Sequence, residues 1–566
     1  MKKLINDPRN VVREMLEGLA DLTQHLALLD TENVALRIGL PTAAERPVAV
    51  ISGGGAGHEP AHAGYVGSGM LSAAVTGDVF TSPSSDAVLA AIRATAGPAG
   101  ALLIIKNYTG DRLNFGIAAE LARAEGIPVE IAVVADDVAL AGVVAPERRR
   151  GIAGTVLVHK IAGAAAQAGL PLAEVAEKAR SAAARVGTMG VALGACTVPT
   201  AGRPGFTLGE REIELGLGIH GEKGVERGEI KPADELVERM IARIVKECGL
   251  KAGDRVALLV NGLGATPPLE LAIVARHALA DLRGRGITVE RAWSGNLLTA
   301  LEMPGCSLSV LKLDADDLRF LDASVEASAW PGCGHVPANR SIVAATIAPF
   351  ADPAEAHLNA ADSNLRGIVM AVADALESAE DQLTDLDSRA GDGDLGASMV
   401  RGAQAVRALP ESAWSSPSGA IIEISTALRR AIAGSSGPFY AIALARAGRH
   451  LAQQPNLTAQ HWVDAFELAI AAVAEAGGAK PGDRTMLDAL EPAVRSLKST
   501  VGLPASERCT RAADAAADGA DATASMSPRL GRASYLGERA VGAPDGGAAA
   551  VAIWMGAIAQ AIAKQG

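Results

Sequence analysis

Ser52-Gly53-Gly54-Gly55-Ala56-Gly57-His58-Glu59-Pro60 follows directly on an apolar run at residues 47–51, and this succession of strand, glycines and histidine decides the reading of the first half of the chain. A nearly unbroken apolar run marks a strand covered on both faces, as in a parallel or mixed sheet. Glycines at four of the five positions 53–57 predict a loop with backbone angles closed to other residues. In such a loop consecutive N–H groups converge on a small polar ligand, with His58 beside it. A plain strand-to-helix turn fits the same residues.

Outward from that stretch, residues 102–106, 129–134, 255–260 and 307–313 read as further buried strands, separated by longer helical patterns. The first half, residues 1–335, is therefore expected to be α/β, with sub-domains at about 1–195 and 196–335. The second begins near the Pro- and Gly-containing stretch 199–204. Gly332, Gly334, Pro337, Pro349 and Pro353 suit a connection better than a regular element, which predicts a linker over 336–357. Beyond it Leu365, Ile368, Val369, Val372 and Leu376 keep helical spacing, as do Ile558 and Ile562. Residues 358–566 are expected to be all-α, a bundle of several amphipathic helices.

A chain of 566 residues exceeds one hydrophobic core, and 49% hydrophobic with 20% charged residues is a globular balance. A formal charge of −12 argues against nucleic acid, whose backbone attracts basic proteins. The five cysteines are odd in number and scattered, without a C-x-x-C pair, so a disulfide framework or zinc site is not indicated and a reducing cytoplasm fits. Asn6, Asp7, Arg9 and Asn10 stand where an export signal needs its apolar run, and uninterrupted apolar stretches of about 20 residues are absent, so no membrane partner is expected.

Other segments carry chemistry. The strand 102–106 ends in Lys106 and runs into Asn107-Tyr108-Thr109-Gly110-Asp111-Arg112. Polar residues past the carboxyl end of an α/β strand lie where such folds bind ligands, although Asp111 also fits a helix cap. Gly216-Leu217-Gly218-Ile219-His220-Gly221-Glu222 sets a histidine among glycines, which gives its ring room to approach a substrate. In the second half, Asp387, Asp392 and Asp394 fall within eight positions. Their mutual repulsion is relieved by a hard cation such as Mg²⁺, while a solvated acidic turn remains the plainer alternative and the spacing excludes an EF-hand. Gly434-Ser435-Ser436-Gly437-Pro438 and Gly482-Asp483-Arg484-Thr485-Met486-Leu487-Asp488 each open a helix, whose N-terminus can bind phosphate without a Walker A sequence; ordinary capping competes.

SGGGAGHEP, KNYTGDRLNFG and ELGLGIHGE together resemble the substrate domain of the dihydroxyacetone kinase family over the whole first half. The acidic segment, SSGPFYA, GDRTMLD, GRASYLG and DGG resemble that family's nucleotide domain over 358–566. The resemblance implies a closed barrel of antiparallel helices for the second half, a homodimer, and ATP as donor because both domains share one chain. By it, His220 adds to the substrate carbonyl as a covalent hemiaminal, Asp111 takes the proton of the attacking hydroxyl, and His58 assists. Gly53, Gly54, Gly55, Ala56, Ser82 and Lys106 hold the substrate. Asp387, Asp392 and Asp394 hold two Mg²⁺ ions. Gly393, Leu395, Ser435, Ser436, Gly482, Thr485, Met486, Asp545, Gly546 and Gly547 line the nucleotide with Asp392 and Asp394. Ala56 replaces the family's usual serine, which keeps a four-carbon ketose such as erythrulose open beside dihydroxyacetone. An added FAD-AMP lyase activity, found in some fused relatives, also stays open.

Overall fold

The computed structural model describes residues 2–344 and 363–565, so most of the linker expected over 336–357 lies outside the described residues. The chain divides into two compact units, Met1–Val343 and Ala344–Gly566.

The first unit holds two six-stranded sheets. The first sheet is built from β1 (Leu26–Leu28), β2 (Val34–Arg37), β3 (Ala49–Ala56), β4 (Ala73–Val79), β5 (Ala101–Lys106) and β6 (Val129–Val134), in the order β1-β2-β4-β3-β5-β6. The four strands β4-β3-β5-β6 run parallel, with an antiparallel β1–β2 edge. Burial on both faces explains the unbroken apolar runs. Leu102 and Ile104 of β5 enter one core with the helices Thr155–Gln167 and Leu172–Arg185, while Leu103 and Ile105 enter another with Ser85–Thr95 and Thr109–Ala124.

The second sheet takes β7 (Val186–Ala192), β8 (Glu212–Leu215), β9 (Glu226–Glu229), β10 (Arg255–Gly262), β11 (Thr288–Gly295) and β12 (Gly305–Lys312), in the order β11-β10-β12-β7-β8-β9. Its first strand, β7, precedes the stretch 199–204. The two sheets share one core, because Ala257, Leu259 and Leu311 cluster with Leu102 and Ile104. Asp136, just past β6, fastens them further: its carboxylate accepts from the N–H of Ile152 at 2.6 Å, the N–H of Gly154 at 2.8 Å and the hydroxyl of Thr188 on β7.

One expectation is corrected. Gly53, Gly54, Gly55 and Ala56 do not form a loop but continue β3, paired with β4 at Val75, Thr76, Gly77 and Val79. The glycines serve close approach: a Cβ on Gly53 would fall 2.2 Å from the Val75 carbonyl oxygen, and one on Gly55 2.5 Å from the Thr81 nitrogen. Of this run only Gly57, with φ 97°, uses the left-handed backbone that favours glycine.

The second unit is helical. Ser363–Ser378, Leu395–Arg407, Pro417–Ala431, Ser436–Ala452, Ala459–Gly477, Leu487–Ser499, Ala505–Ala522 and Gly546–Gln565 pack each on the next, and the last returns to the first, so the ring closes. Only four residues separate Ala431 from Ser436, a reach of at most about 14 Å. That is less than the length of either flanking helix, about 1.5 Å per residue, so such neighbours must run antiparallel. The ring encloses an apolar cavity of about 580 Å³ lined by Met399, Leu444, Phe466 and Trp554 among others, and none of the three aspartates lines it. By length and composition alone Gly546–Gln565 could cross a bilayer; in the ring it packs against Ser363–Ser378 and Ala505–Ala522, with Ala548, Ala550 and Val551 fully buried.

Candidate functional site

The carboxyl ends of β3 and β5 converge with the glycine-flanked segment after β8. His58 lies just past β3 and is fully buried. A segment that follows β11 holds it in place: the N–H groups of Thr299 and Leu301 donate to the carbonyls of His58 and Gly57 at 3.2 and 2.7 Å, and the Thr299 hydroxyl donates to the Glu59 carbonyl at 2.8 Å. His58 Nδ1 lies 2.7 Å from the Thr299 carbonyl oxygen and its Nε2 lies 3.1 Å from Nε2 of His220. His220 Nδ1 is 2.9 Å from one oxygen of Glu222, whose other oxygen accepts the His220 backbone N–H at 2.9 Å.

These partners fix the protons. A carbonyl oxygen only accepts, so Nδ1 of His58 carries hydrogen; facing a carboxylate, so does Nδ1 of His220. Two neutral rings would then oppose their Nε2 lone pairs at 3.1 Å, so the pair shares one proton, and Glu222 supplies the compensating charge. Burial pushes the Glu222 carboxyl up, but the His220 ring N–H and charge, with backbone donors, outweigh it and hold the group at about 2. His58 is held well below the usual imidazole range, first by burial and then by the charges of Lys106 and His220.

Glycine makes the loop possible. A Cβ on Gly218 would fall 2.0 Å from a Glu222 carboxylate oxygen, and Gly216 and Gly221 take φ of 69° and 82°. Arg150 underpins the segment, donating to the Gly216 carbonyl at 2.7 Å and to Asp137 at 2.7 Å.

Lys106 ends β5, fully buried, and its Nζ has no hydrogen-bond partner among the described residues. Burial lowers its ammonium, against the pull of Asp111, Glu222 and Glu59. Gly54 lies beneath: a Cβ there would sit 3.0 Å from Lys106 Nζ and 3.7 Å from an Asp111 carboxylate oxygen. Asp111 stands in the first turn of Thr109–Ala124, where the helix N-terminus favours its charge. Ser82 lies across the same turn, its Cβ 3.0 Å from where a Cβ on Gly110 would be, and its hydroxyl accepts from Asn114 at 3.4 Å. Ala56 is buried among Ala61, Ala63 and Tyr65 in the shared core.

In the helical unit, Asp387, Asp392 and Asp394 each offer a carboxylate oxygen, all within 4.8 Å of one another. Asp387 lies in the last turn of a short helix, Glu380–Ser388, and Asp392 and Asp394 follow it. Asp387 is fixed by the N–H groups of Asp394 and Leu395 at 2.9 and 3.3 Å. A Cβ on Gly391 would fall 2.3 Å from its other oxygen, so glycine keeps that side clear; an all-oxygen set with an open flank fits Mg²⁺. Gly393 turns the chain with φ 74°. The DGG segment lies alongside: a Cβ on Gly546 would be 2.9 Å from Leu395 and 3.9 Å from Asp387, and one on Gly547 3.7 Å from Met486. Asp545 caps the last helix by accepting from Ala548 at 2.9 Å, and Asp488 accepts from Gly482 and from Thr485, the latter at 2.8 Å. Ser435 is exposed ahead of Ser436–Ala452, and Ile432 just before it packs with Leu395 and Met399.

Sequence reasoning missed several residues. Glu222 stood in a quoted segment, two positions after His220, and a carboxylate so placed is a signal for an imidazole partner. Thr299, 241 positions from His58, left no local trace. Buried Arg484 went unassigned, yet it donates to the carbonyls of Thr523, Ala540 and Ala543 at 3.2, 2.6 and 3.0 Å and so ties the 482–486 turn to the segment before Asp545.

Comparison with known proteins follows this division. The Dak1 domain matches residues 17–329 and the DAK2 domain residues 389–560. The chain is 43% identical to a putative 3,4-dihydroxy-2-butanone kinase of Solanum lycopersicum, covering 100% of this chain and 98% of the relative. It is 41% identical to the triokinase/FMN cyclase of Homo sapiens, with 99% of each covered. Among solved structures, the dihydroxyacetone kinase from C. freundii in complex with AMP-PNP and Mg²⁺ aligns with a TM-score of 0.62 at 36% identity, covering 99% of both chains.

Proposed function

Because this chain belongs to the dihydroxyacetone kinase family, in the single-chain form that joins Dak1 and DAK2 domains, we propose that it transfers the γ-phosphoryl group of ATP to dihydroxyacetone tethered at His220. The observation that carries this reading is the 3.1 Å approach of the two Nε2 atoms, with Glu222 setting the His220 tautomer. A three-carbon ligand has few atoms to bind by, so a reversible covalent bond supplies affinity and selects carbonyls over polyols.

The residues divide the work. When the shared proton moves to His58, the Nε2 lone pair of His220 attacks the carbonyl carbon. The π pair goes to oxygen, which takes the proton from His58. Positive charge thereby passes to the substituted His220 ring, still opposite Glu222. Lys106 donates to substrate oxygens over Gly54, with Ser82 and the backbone of residues 53–56 completing the wall. Asp111 then accepts the proton of the terminal hydroxyl as its oxygen attacks phosphorus and ADP leaves.

Residues 358–566 present the nucleotide. Asp387, Asp392 and Asp394 would hold Mg²⁺, which neutralises triphosphate charge when bound. Gly393 and Leu395, the turns at Ser435 and Ser436 and at Gly482, Thr485 and Met486, and the Asp545-Gly546-Gly547 cap would position the phosphates and base.

A second reading, a four-carbon ketose as acceptor, is favoured by Ala56: no hydroxyl is carried at that wall, and a relative is named for a four-carbon ketone. Steady-state rates with Mg·ATP and dihydroxyacetone, glyceraldehyde, each erythrulose enantiomer and glycerol, with FAD as a separate substrate, decide between these. Fast turnover of dihydroxyacetone and none of glycerol supports the proposal. Turnover of glycerol at a comparable rate contradicts it, and cyclic FMN formation adds the lyase.

A further inference from the structure

Three rings stand around His220. Tyr108 lies 4.7 Å from it at 78°, Phe80 5.1 Å at 77° and His58 4.9 Å at 70°. Phe80 also stacks on His58, 5.1 Å between centroids and 20° between planes. It does so from a left-handed backbone, φ 61°, which a phenylalanine adopts only where its surroundings hold it. Those surroundings are visible: its N–H donates to the Ala56 carbonyl at 2.9 Å, and glycine at 55 and 57 leaves it room, since a Cβ there would come within 2.7 Å of its carbonyl carbon and 2.8 Å of its ring. Tyr108 sits between the last residue of β5 and the helix bearing Asp111, with Lys106 Nζ 5.9 Å from its ring centre. Its hydroxyl is buried with no partner among the described residues, so its contact with His220 is made by the ring.

We propose that Phe80 and Tyr108 are positioning residues, two aromatic walls that hold the His220 imidazole at the angle at which Nε2 meets a ketone carbon. The inference rests on the tether at His220. Glu222 grips the ring at Nδ1 and His58 meets it at Nε2, but the second contact is given up when that lone pair turns to the ketone. The ring's own segment is rich in glycine, so during attack a single hydrogen bond leaves the imidazole free to rock. Bond formation needs Nε2 aimed within about 10–20° of its target. Edge-to-face packing on two sides removes the rocking, and each such pair is worth up to about tenfold in an equilibrium. Because the walls act on the tether rather than on the nucleotide, they set how much ketone is held as adduct and how strongly carbonyls are preferred to polyols.

The test is ¹³C NMR of the full-length protein with 2-¹³C-dihydroxyacetone and no nucleotide, which separates the planar carbon of free ketone from a tetrahedral carbon bound to nitrogen, together with KM for ketone and for ATP. Phe80→Leu and Tyr108→Leu should each lower the adduct equilibrium by up to about tenfold. KM for ketone should rise, KM for ATP should stay, and the preference over glycerol should shrink. Phe80→Tyr and Tyr108→Phe, which keep the rings, should restore wild-type values. Leucine variants that keep the adduct within about twofold overturn the proposal while leaving the tether intact. Loss of adduct with a parallel rise in KM for ATP overturns it too, as general damage. Absence of an adduct in the wild type removes the tether and the walls with it.

Discussion

Replacing Glu222 with glutamine keeps the shape of the side chain and removes its charge. Only one of the two contacts to His220 can persist, the amide oxygen accepting from Nδ1–H at 2.9 Å while the NH2 faces the backbone N–H, and the pair's shared proton loses its counter-charge. A hydrogen bond to a charged partner is worth about 1.5–3 kcal/mol net and a neutral one about 0.5–1.5 kcal/mol, so the loss is about 1–2 kcal/mol. That corresponds to roughly 5–30-fold in ketone capture. Because the Glu222 side chain is 37% exposed, solvent screening favours the lower end. The assay is steady-state kinetics with ketone varied at saturating ATP and the reverse: kcat/KM for ketone should fall by that factor and KM for ATP should hold. A variant with wild-type kcat/KM for ketone, or one that loses affinity for ATP instead, would refute the role given to this carboxylate.

Gly54→Ala should fold normally yet lose ketone affinity, because its methyl would occupy space 3.0 Å from Lys106 Nζ and 3.7 Å from Asp111; isothermal titration with dihydroxyacetone checks this. Asp392→Ala should abolish Mg²⁺-dependent phosphoryl transfer while the ¹³C signature of captured ketone persists, since the aspartates act on the nucleotide alone. His159 is fully buried without a hydrogen-bond partner, and burial followed by the charge of Lys106 pulls it from 6.5 to about 3. Its neutral ring therefore contributes full stability above pH 6.5, and that contribution falls by about 1.4 kcal/mol per pH unit as pH drops towards 3. Urea melts of His159→Leu at pH 8 and pH 5 should show a smaller acid loss than the wild type. Glu222 runs in the lower window: its contribution is present above 4.5 and lost as pH falls through about 2, so Glu222→Gln should lose less stability between those values in acid titration.

The parts legible from sequence are those whose signal is local. Helical spacing at Leu365, Ile368, Val372 and Leu376 marked an all-helical half, but closure of the ring depends on Gly546–Gln565 returning to Ser363–Ser378, which spacing does not record. His58, Lys106, Asp111 and His220 stand out in the sequence because each sits in a short polar or glycine-rich segment at or past the end of a strand. The glycine run was read as a loop because glycine usually signals freedom of φ. Here it signals crowding, since β4 approaches so closely that side chains at 53 and 55 would strike its backbone or the turn after it. Strands of three or four residues such as β1, β8 and β9 carry too few positions for a period to emerge. Phe80 and Thr299 act through folded geometry, one by an unusual backbone angle and one across 241 positions, and neither leaves a pattern in the chain.

A high-resolution crystal structure of the wild-type protein soaked with dihydroxyacetone bears most directly on the covalent tether. A tetrahedral ligand carbon joined to Nε2 of His220 at single-bond length, about 1.45 Å, with its oxygen turned towards His58, is the expected result. A planar ketone lying at van der Waals distance from that nitrogen, about 3 Å or more, would contradict it.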